Sequence, residues 1–208
     1  MFMYRKDIMN ITEEKRKHFK QLFEMMEEPV ILRLLLDDCM ESKQLLDYMI
    51  ELSGLSHMLT IETKASKDRE QIPAVYLCNY KGEWKGLSFH GIPAGYELTA
   101  FVMGIYNASG KGQEISDETR YKIKSIKKKL HIKVMVTLSC VSCPELVTAV
   151  QKIAALNKNV EAEIYDVAHF PALREKYKIK RVPCMVINEG KPIFGCKNLS
   201  EVLKIVVD

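Results

Sequence analysis

Thr137-Leu138-Ser139-Cys140-Val141-Ser142-Cys143-Pro144 joins two stretches of different period. Upstream, Ile132 to Leu138 is a short apolar run of strand length; downstream, Pro144 to Asn157 carries its apolar residues at helical spacing. A C-x-x-C pair between a strand and an amphipathic helix reads as a redox dithiol. A cysteine at the first turn of a helix faces unsatisfied N–H groups and the positive end of the macrodipole, both of which favour thiolate over thiol. Lowering a thiol pKa from about 8.5 to about 7 raises its ionised fraction at neutral pH from roughly 3% to roughly half. Cys140, nearer the loop, is the expected attacking sulfur, and Cys143, one turn deeper, the resolving one. Pro144 has no N–H to donate and suits an early helical position. Two bland alternatives stand beside this reading: a pair of inert buried thiols, or a zinc knuckle whose other ligands come from Cys184, Cys196 or His169.

Outward from this motif the second half reads as a helix over 116–130, a strand at Ile132 to Leu138, a helix at Pro144 to Asn157 and a strand at Val160 to Val167. A helix over 171–177, a strand from Cys184 to Ile187, a turn at Asn188-Glu189-Gly190, a strand over 192–194 and a helix from Leu199 follow. The first half repeats the pattern. After a helix capped by Asn10, with Glu13 completing a capping box, it reads as a strand (Val30 to Leu36), a helix (Ser42 to Leu52) and a strand (His57 to Thr63). Two strands about the Asn79 to Gly82 turn and a helix from Leu98 complete it. The expected fold class is α/β: strands alternating with helices favour a parallel core sheet, and the polar turn in each half adds an antiparallel edge. Asn107 to Gly112 is polar and lacks apolar period, so the halves divide as residues 1–112, with net charge −2, and 113–208, with net charge +6.

Composition sets the outer limits. The chain has 208 residues, 47% hydrophobic and 28% charged, with net charge +4, which excludes a disordered or collagen-like chain. Arg5, Lys6 and Asp7 leave no apolar leader near the start, and the run Val30 to Leu36 is broken by Arg33 and far short of a membrane span. Six cysteines are too sparse for a disulfide scaffold, so a cytoplasmic, non-membrane protein is expected. No G-x-G-x-x-G follows a predicted strand, which argues against FAD or a nicotinamide dinucleotide binding here. Arg120, Lys122, Lys124, Lys127, Lys128, Lys129 and Lys133 form a basic run without an acid. It is read as a solvated helix face, with an interaction module for nucleic acid or acidic membrane as the alternative; neither partner is expected.

The tandem halves, the C-x-x-C-P of the second half, the His90 to Thr99 stretch (His-Gly-Ile-Pro-Ala-Gly-Tyr-Glu-Leu-Thr) and Ala155-Leu156-Asn157 together resemble the N-terminal domain of the flavoprotein component of alkyl hydroperoxide reductase. More distantly the chain is similar to protein disulfide oxidoreductases and glutaredoxins. The resemblance implies two fused thioredoxin-like units, each a mixed sheet flanked by helices, sharing one redox-active disulfide, Cys140/Cys143. It implies that Val182-Pro183 is cis and that Val182 and Pro183 border the incoming substrate strand. It matches Glu97 to an acid that looks across at the dithiol from the first unit and relays or tunes its proton; the alternative reading, equally weighted, is an acid in the first turn of a helix that only complements its dipole. It also implies electrons from a thioredoxin-reductase-like flavoprotein, separate or fused, carrying the FAD and NAD(P)H, and a peroxiredoxin as acceptor. This chain departs from the pattern at Val141 and Ser142, where the family has His-Asn, at Tyr96, where it has His, and at Cys184, where it has Thr. Cys39 and Ser42 occupy the positions of the attacking and resolving cysteines in the first half; Asp37, Asp38 and Glu41 nearby oppose thiolate formation, so Cys39 reads as a lone, inert cysteine.

Overall fold

The computed structural model describes residues 9–207, so the N-terminal stretch around Arg5, Lys6 and Asp7 lies outside the described residues. The order is α1 (Glu13–Glu24), β1 (Val30–Leu36), α2 (Met40–Ser53), β2 (Leu59–Ala65), β3 (Ala74–Asn79), β4 (Trp84–His90) and α3 (Glu97–Ala108). Then come α4 (Asp117–Ser125), β5 (Leu130–Val136), α5 (Cys143–Leu156), β6 (Val160–Asp166), α6 (Pro171–Lys176), β7 (Cys184–Ile187), β8 (Ile193–Phe194) and α7 (Leu199–Val207). Most boundaries differ from the expectations by one or two residues, and two of the differences have a clear cause. The first helix is capped by Thr12, extended in backbone and accepting at its hydroxyl from Lys15 N, rather than by Asn10, because Ile11 is buried in the core and the chain turns only after it. The helix expected over 116–130 stops at Ser125. Asn157 Nδ2 donates to the carbonyls of Ile123 (2.6 Å) and Ile126 (3.0 Å), closing the helix end, and Leu130 pairs with Val160 to open β5. Ile123, Ile126 and Leu130 are all buried, but not from one helix.

The strands form one eight-stranded mixed sheet in the order β2-β1-β3-β4-β6-β5-β7-β8. The first four and last four strands repeat one pattern: β1 is parallel to β2 and antiparallel to β3, as β5 is to β6 and β7. The antiparallel strand expected at the edge of the first half is not an edge. β4 pairs in parallel with β6, from Leu87↔Ala162 to His90↔Tyr165, because its outer backbone groups would otherwise lie unpaired along the middle of the molecule. The chain between α3 and α4 is fastened from below: Lys152 of α5, 2% exposed, donates to Asn107 Oδ1 (3.1 Å) and Lys111 O (2.8 Å).

Alternation along the strands sorts the two faces. Leu87, Phe89, Ala162 and Ile164 enter the main core, over which α3 packs against α5 and α5 against α7. Ser88, His90, Glu163 and Tyr165 take the other face and form a polar seam across the β4–β6 joint. His90 is fully buried and stacks on Tyr165 at 4.1 Å. Its Nδ1 lies 2.8 Å from Gln71 O, which can only accept, so Nδ1 carries the proton and Nε2 accepts from Ser88 Oγ at 3.1 Å. Glu163 accepts from His131 Nε2 (2.7 Å) and Tyr165 OH (3.1 Å).

The two histidines of this seam respond oppositely to acid. Burial pushes His90 down to about 4, so between pH 6.5 and 4 the unfolded chain takes up a proton that the folded one refuses, and stability falls as pH drops. The hydrogen bond to Glu163 raises His131, whose contribution is complete below its ordinary value and fades as pH rises through the raised one. Denaturant unfolding is expected to show a loss on the order of 3 kcal/mol from His90 between neutral pH and pH 4, an upper figure set by about 1.4 kcal/mol per unit. His90→Phe flattens that limb.

Candidate active site

β5 delivers the motif to the edge of the core. Its chain turns at Thr137, whose carbonyl accepts from Cys140 N at 3.0 Å, and α5 begins at Cys143 with Pro144 in its first turn. Ser142 provides no side-chain cap, and Cys143 is itself the first residue of α5, so the pair sits at the N-terminal end of the helix. Cys140 and Cys143 form a disulfide with Cα atoms 5.5 Å apart. Cys140 is half-buried, Cys143 is fully buried, and Val141 between them is 71% exposed. One sulfur is thus reachable and the other lies behind it.

The first half supplies the opposite wall. Gly95, at φ +61°, turns the loop after β4 so that Tyr96 N donates to Leu138 O (3.1 Å), two residues before Cys140. Tyr96 remains 52% exposed. Glu97, the next residue, opens α3, which packs on α5. It is fully buried, neither carboxyl oxygen has a hydrogen-bond partner, and burial followed by the charge of Asp166 pushes it up to about 8. At neutral pH it is a protonated acid. Val182-Pro183 is cis, and Met135↔Cys184 places Pro183 beside the end of β5 that feeds the disulfide. The five residues Glu97, Cys140, Cys143, Val182 and Pro183 therefore gather at one end of the sheet.

The first half holds a related but different arrangement. Ile72-Pro73 is also cis. Cys39 is the N-cap of α2, and Ser42, buried as Cys143 is, donates to Asp37 Oδ1 at 2.7 Å. Burial and the hydrogen bond with Asp37 push the Cys39 thiol up, so it stays neutral. The other thiols scatter. Cys184 packs with Met135, Val167, Tyr177, Ile179 and Val186 on the far face of the sheet, and burial pushes it up to about 11. Cys196, which the sequence offers only as a zinc ligand, meets Glu145 Oε2 at 2.7 Å in the first turn of α5, and burial with that carboxylate pushes its thiol up to about 11. No local pattern reveals this contact, which spans 51 positions. Among the described residues no three His, Cys, Asp or Glu side chains converge as metal ligands would. The basic run is divided too. Lys122 pairs with Glu118 on α4, Lys127 to Lys129 lie in the following loop, and Lys133 of β5 pairs with Glu189 on the far face. It forms no single face. No helix among the described residues is long and apolar enough to cross a membrane.

A thioredoxin-domain family profile matches residues 130–207. The F component of alkyl hydroperoxide reductase from Pseudomonas putida is 30% identical over 188 residues, 90% of this chain and 36% of that protein. The crystal structure of the N-terminal domain of the alkylhydroperoxide reductase AhpF from Enterococcus faecalis superposes with a TM-score of 0.89 at 31% identity, covering 94% of this chain and 99% of that one. The chain belongs to this N-terminal domain family. A protein disulfide oxidoreductase from Aeropyrum pernix shares the fold, with a TM-score of 0.80 at 23% identity over 95% of this chain and 93% of that one. The chain spans little more than a third of the length of the curated relatives it matches. Fold, family and bonded cysteine pair make it a thioredoxin-fold domain for thiol–disulfide exchange. After reduction, iodoacetamide at neutral pH is expected to label Cys140 well ahead of Cys143, Cys184 and Cys196, because of these four only Cys140 combines access with a helix N-terminus, and ahead of Cys39, whose place at the head of α2 is offset by burial and Asp37. Peptide mass mapping against time gives the order.

Proposed function

We propose that this chain relays electron pairs through Cys140 and Cys143, in two thioredoxin-like units spanning residues 1–112 and 113–208. The observation that carries the reading is a reachable sulfur bonded to a buried one at the head of α5, with a neutral, buried glutamic acid at the same end of the sheet, on the helix that packs against α5. In the reduced protein the Cys140 thiolate attacks one sulfur of a partner disulfide. That S–S bond breaks, a Cys140–partner bond forms, and the partner's other sulfur leaves as a thiolate and takes up a proton. Cys143 then attacks Cys140 and releases the second partner sulfur. Two electrons pass to the partner and the Cys140–Cys143 bond is restored.

Cys143 is too buried to lose its proton to water during that second step. Glu97, pushed up to about 8, is neutral while the cysteines are bonded; when that bond is reduced it gives its proton to the Cys143 sulfur and is left as the carboxylate, which takes the proton back as Cys143 attacks Cys140. Val182 and Pro183 present the backbone edge against which the partner strand lies. Resemblance to the alkyl hydroperoxide reductase flavoproteins supports a cytoplasmic setting, a thioredoxin-reductase-like flavoprotein, separate or fused, as donor with its FAD and NAD(P)H, and a peroxiredoxin as acceptor.

In a coupled assay with such a reductase and a disulfide substrate, Cys140→Ser is expected to fall to background, whereas Cys143→Ser accumulates a mixed disulfide visible by non-reducing electrophoresis. Full turnover by Cys140→Ser overturns the assignment. Glu97 carries a second, opposed signature. Its folded pKa lies above the unfolded one, so its neutral form stabilises the fold at low pH and that contribution is lost as pH rises toward about 8. Glu97→Gln is expected to slow turnover and remove the limb of the pH–rate profile near 8. At pH 9 the same variant unfolds at higher denaturant concentration, by a gain of up to about 5 kcal/mol. A glutamate serving only as a helix-end acid gives the stability gain without the kinetic change.

A further inference from the structure

The two cis prolines are approached by chain segments of different charge. Residues 65–72, leading to Ile72-Pro73, hold Lys67, Asp68, Arg69 and Glu70 and are neutral overall. Residues 174–181, leading to Val182-Pro183, hold Arg174, Lys176, Lys178, Lys180 and Arg181 against Glu175 alone, a net charge of +4. All five cations are exposed. Lys176 is paired with Glu189 (2.8 Å), and Arg174 Nε reaches Ile179 O (3.3 Å); Arg181 lies 6.0 Å over the Phe194 ring, at the strand beside Cys184. This basic stretch ends at Val182-Pro183, beside the end of β5 that feeds the disulfide, and at that same end of the sheet Val141 and Tyr96 are exposed apolar side chains. Asp37, Asp38 and Glu41 at the corresponding end of the first half give that end the opposite sign. The basic charge is thus placed at the one site of the two that bears a cysteine pair.

We propose that the disulfide substrate of this domain is an acidic segment: an extended strand with an apolar residue beside its target cysteine, seated on Val141 and Tyr96, and Asp or Glu within a few residues, seated over Lys180 and Arg181. The inference rests on the relay reading above and names its substrate class. Lysines and arginines on the approach to a reactive sulfur raise the encounter rate of acidic partners and repel basic ones, and salt screens both effects. Tyr96 comes from the other half of the chain, so the recognition surface exists only when both halves are joined.

The test uses the full reduced chain and three synthetic disulfide-linked peptides that differ only in whether glutamates, serines or lysines flank the cysteine. The acidic peptide is expected to be reduced at least about tenfold faster than the basic one at low ionic strength, with the gap closing severalfold by about 0.5 M salt. The Lys180→Ser/Arg181→Ser variant is expected to lower the ratio of acidic to neutral rates by about threefold or more. Equal rates on all three peptides, or a ratio unmoved in that variant, overturn the proposal while leaving the relay intact. Failure to reduce the neutral peptide at all overturns the relay and this inference together.

Discussion

The parallel pairing of β4 with β6 is the contact on which the molecule depends. It turns two four-stranded halves into one sheet and, among the described residues, leaves edges only at β2 and β8. It also sets the register that brings the loop after β4 against the loop after β5. The bond from Tyr96 to Leu138 follows from that register, and Glu97 follows from Tyr96. On the reverse face the same joint buries His90 against Tyr165, a polar arrangement that tolerates burial because each ring nitrogen has a partner.

Repetition of one pattern has produced two ends with opposed chemistry. In the first half a cysteine caps α2 but meets Asp37, and its neighbour one turn on is a serine, so no disulfide can form there and the thiol is held neutral. In the second half the corresponding turn holds two bonded sulfurs, and basic side chains line the approach. The reactive end nevertheless borrows an acid from the other half. Glu97 is buried without hydrogen-bond partners, a state that costs stability wherever the group is ionised, and this supports the proton-carrying role proposed for it.

Strand and helix identities were legible because the periods are clean: β1 and β7 occupy Val30–Leu36 and Cys184–Ile187, the bounds that the apolar runs mark, and α7 begins at Leu199. Errors fell where a distant partner decides a local outcome. Ile126 and Leu130 fit a helical stripe, yet two asparagines beyond α5 take the last helical carbonyls and Val160 claims Leu130 for the sheet. Thr12 caps α1 because burial of Ile11 outweighs the capping box at Asn10. Cys184, next to the cis proline in sequence, points to the far side of the sheet, whereas Cys196, remote in sequence, stands against the first turn of α5.

The amino-acid sequence alone determined the α/β class, the duplication, and the placing of a cysteine pair between a strand and a helix, because each is written in spacing over a few neighbouring residues. Only the tertiary structure decided that β4 is a joint rather than an edge, that Glu97 is sealed from water without partners, and that the basic stretch 174–181 ends beside the end of β5 that feeds the disulfide. Those outcomes depend on which surfaces exclude solvent from one another, and residues far apart along the chain settle that together.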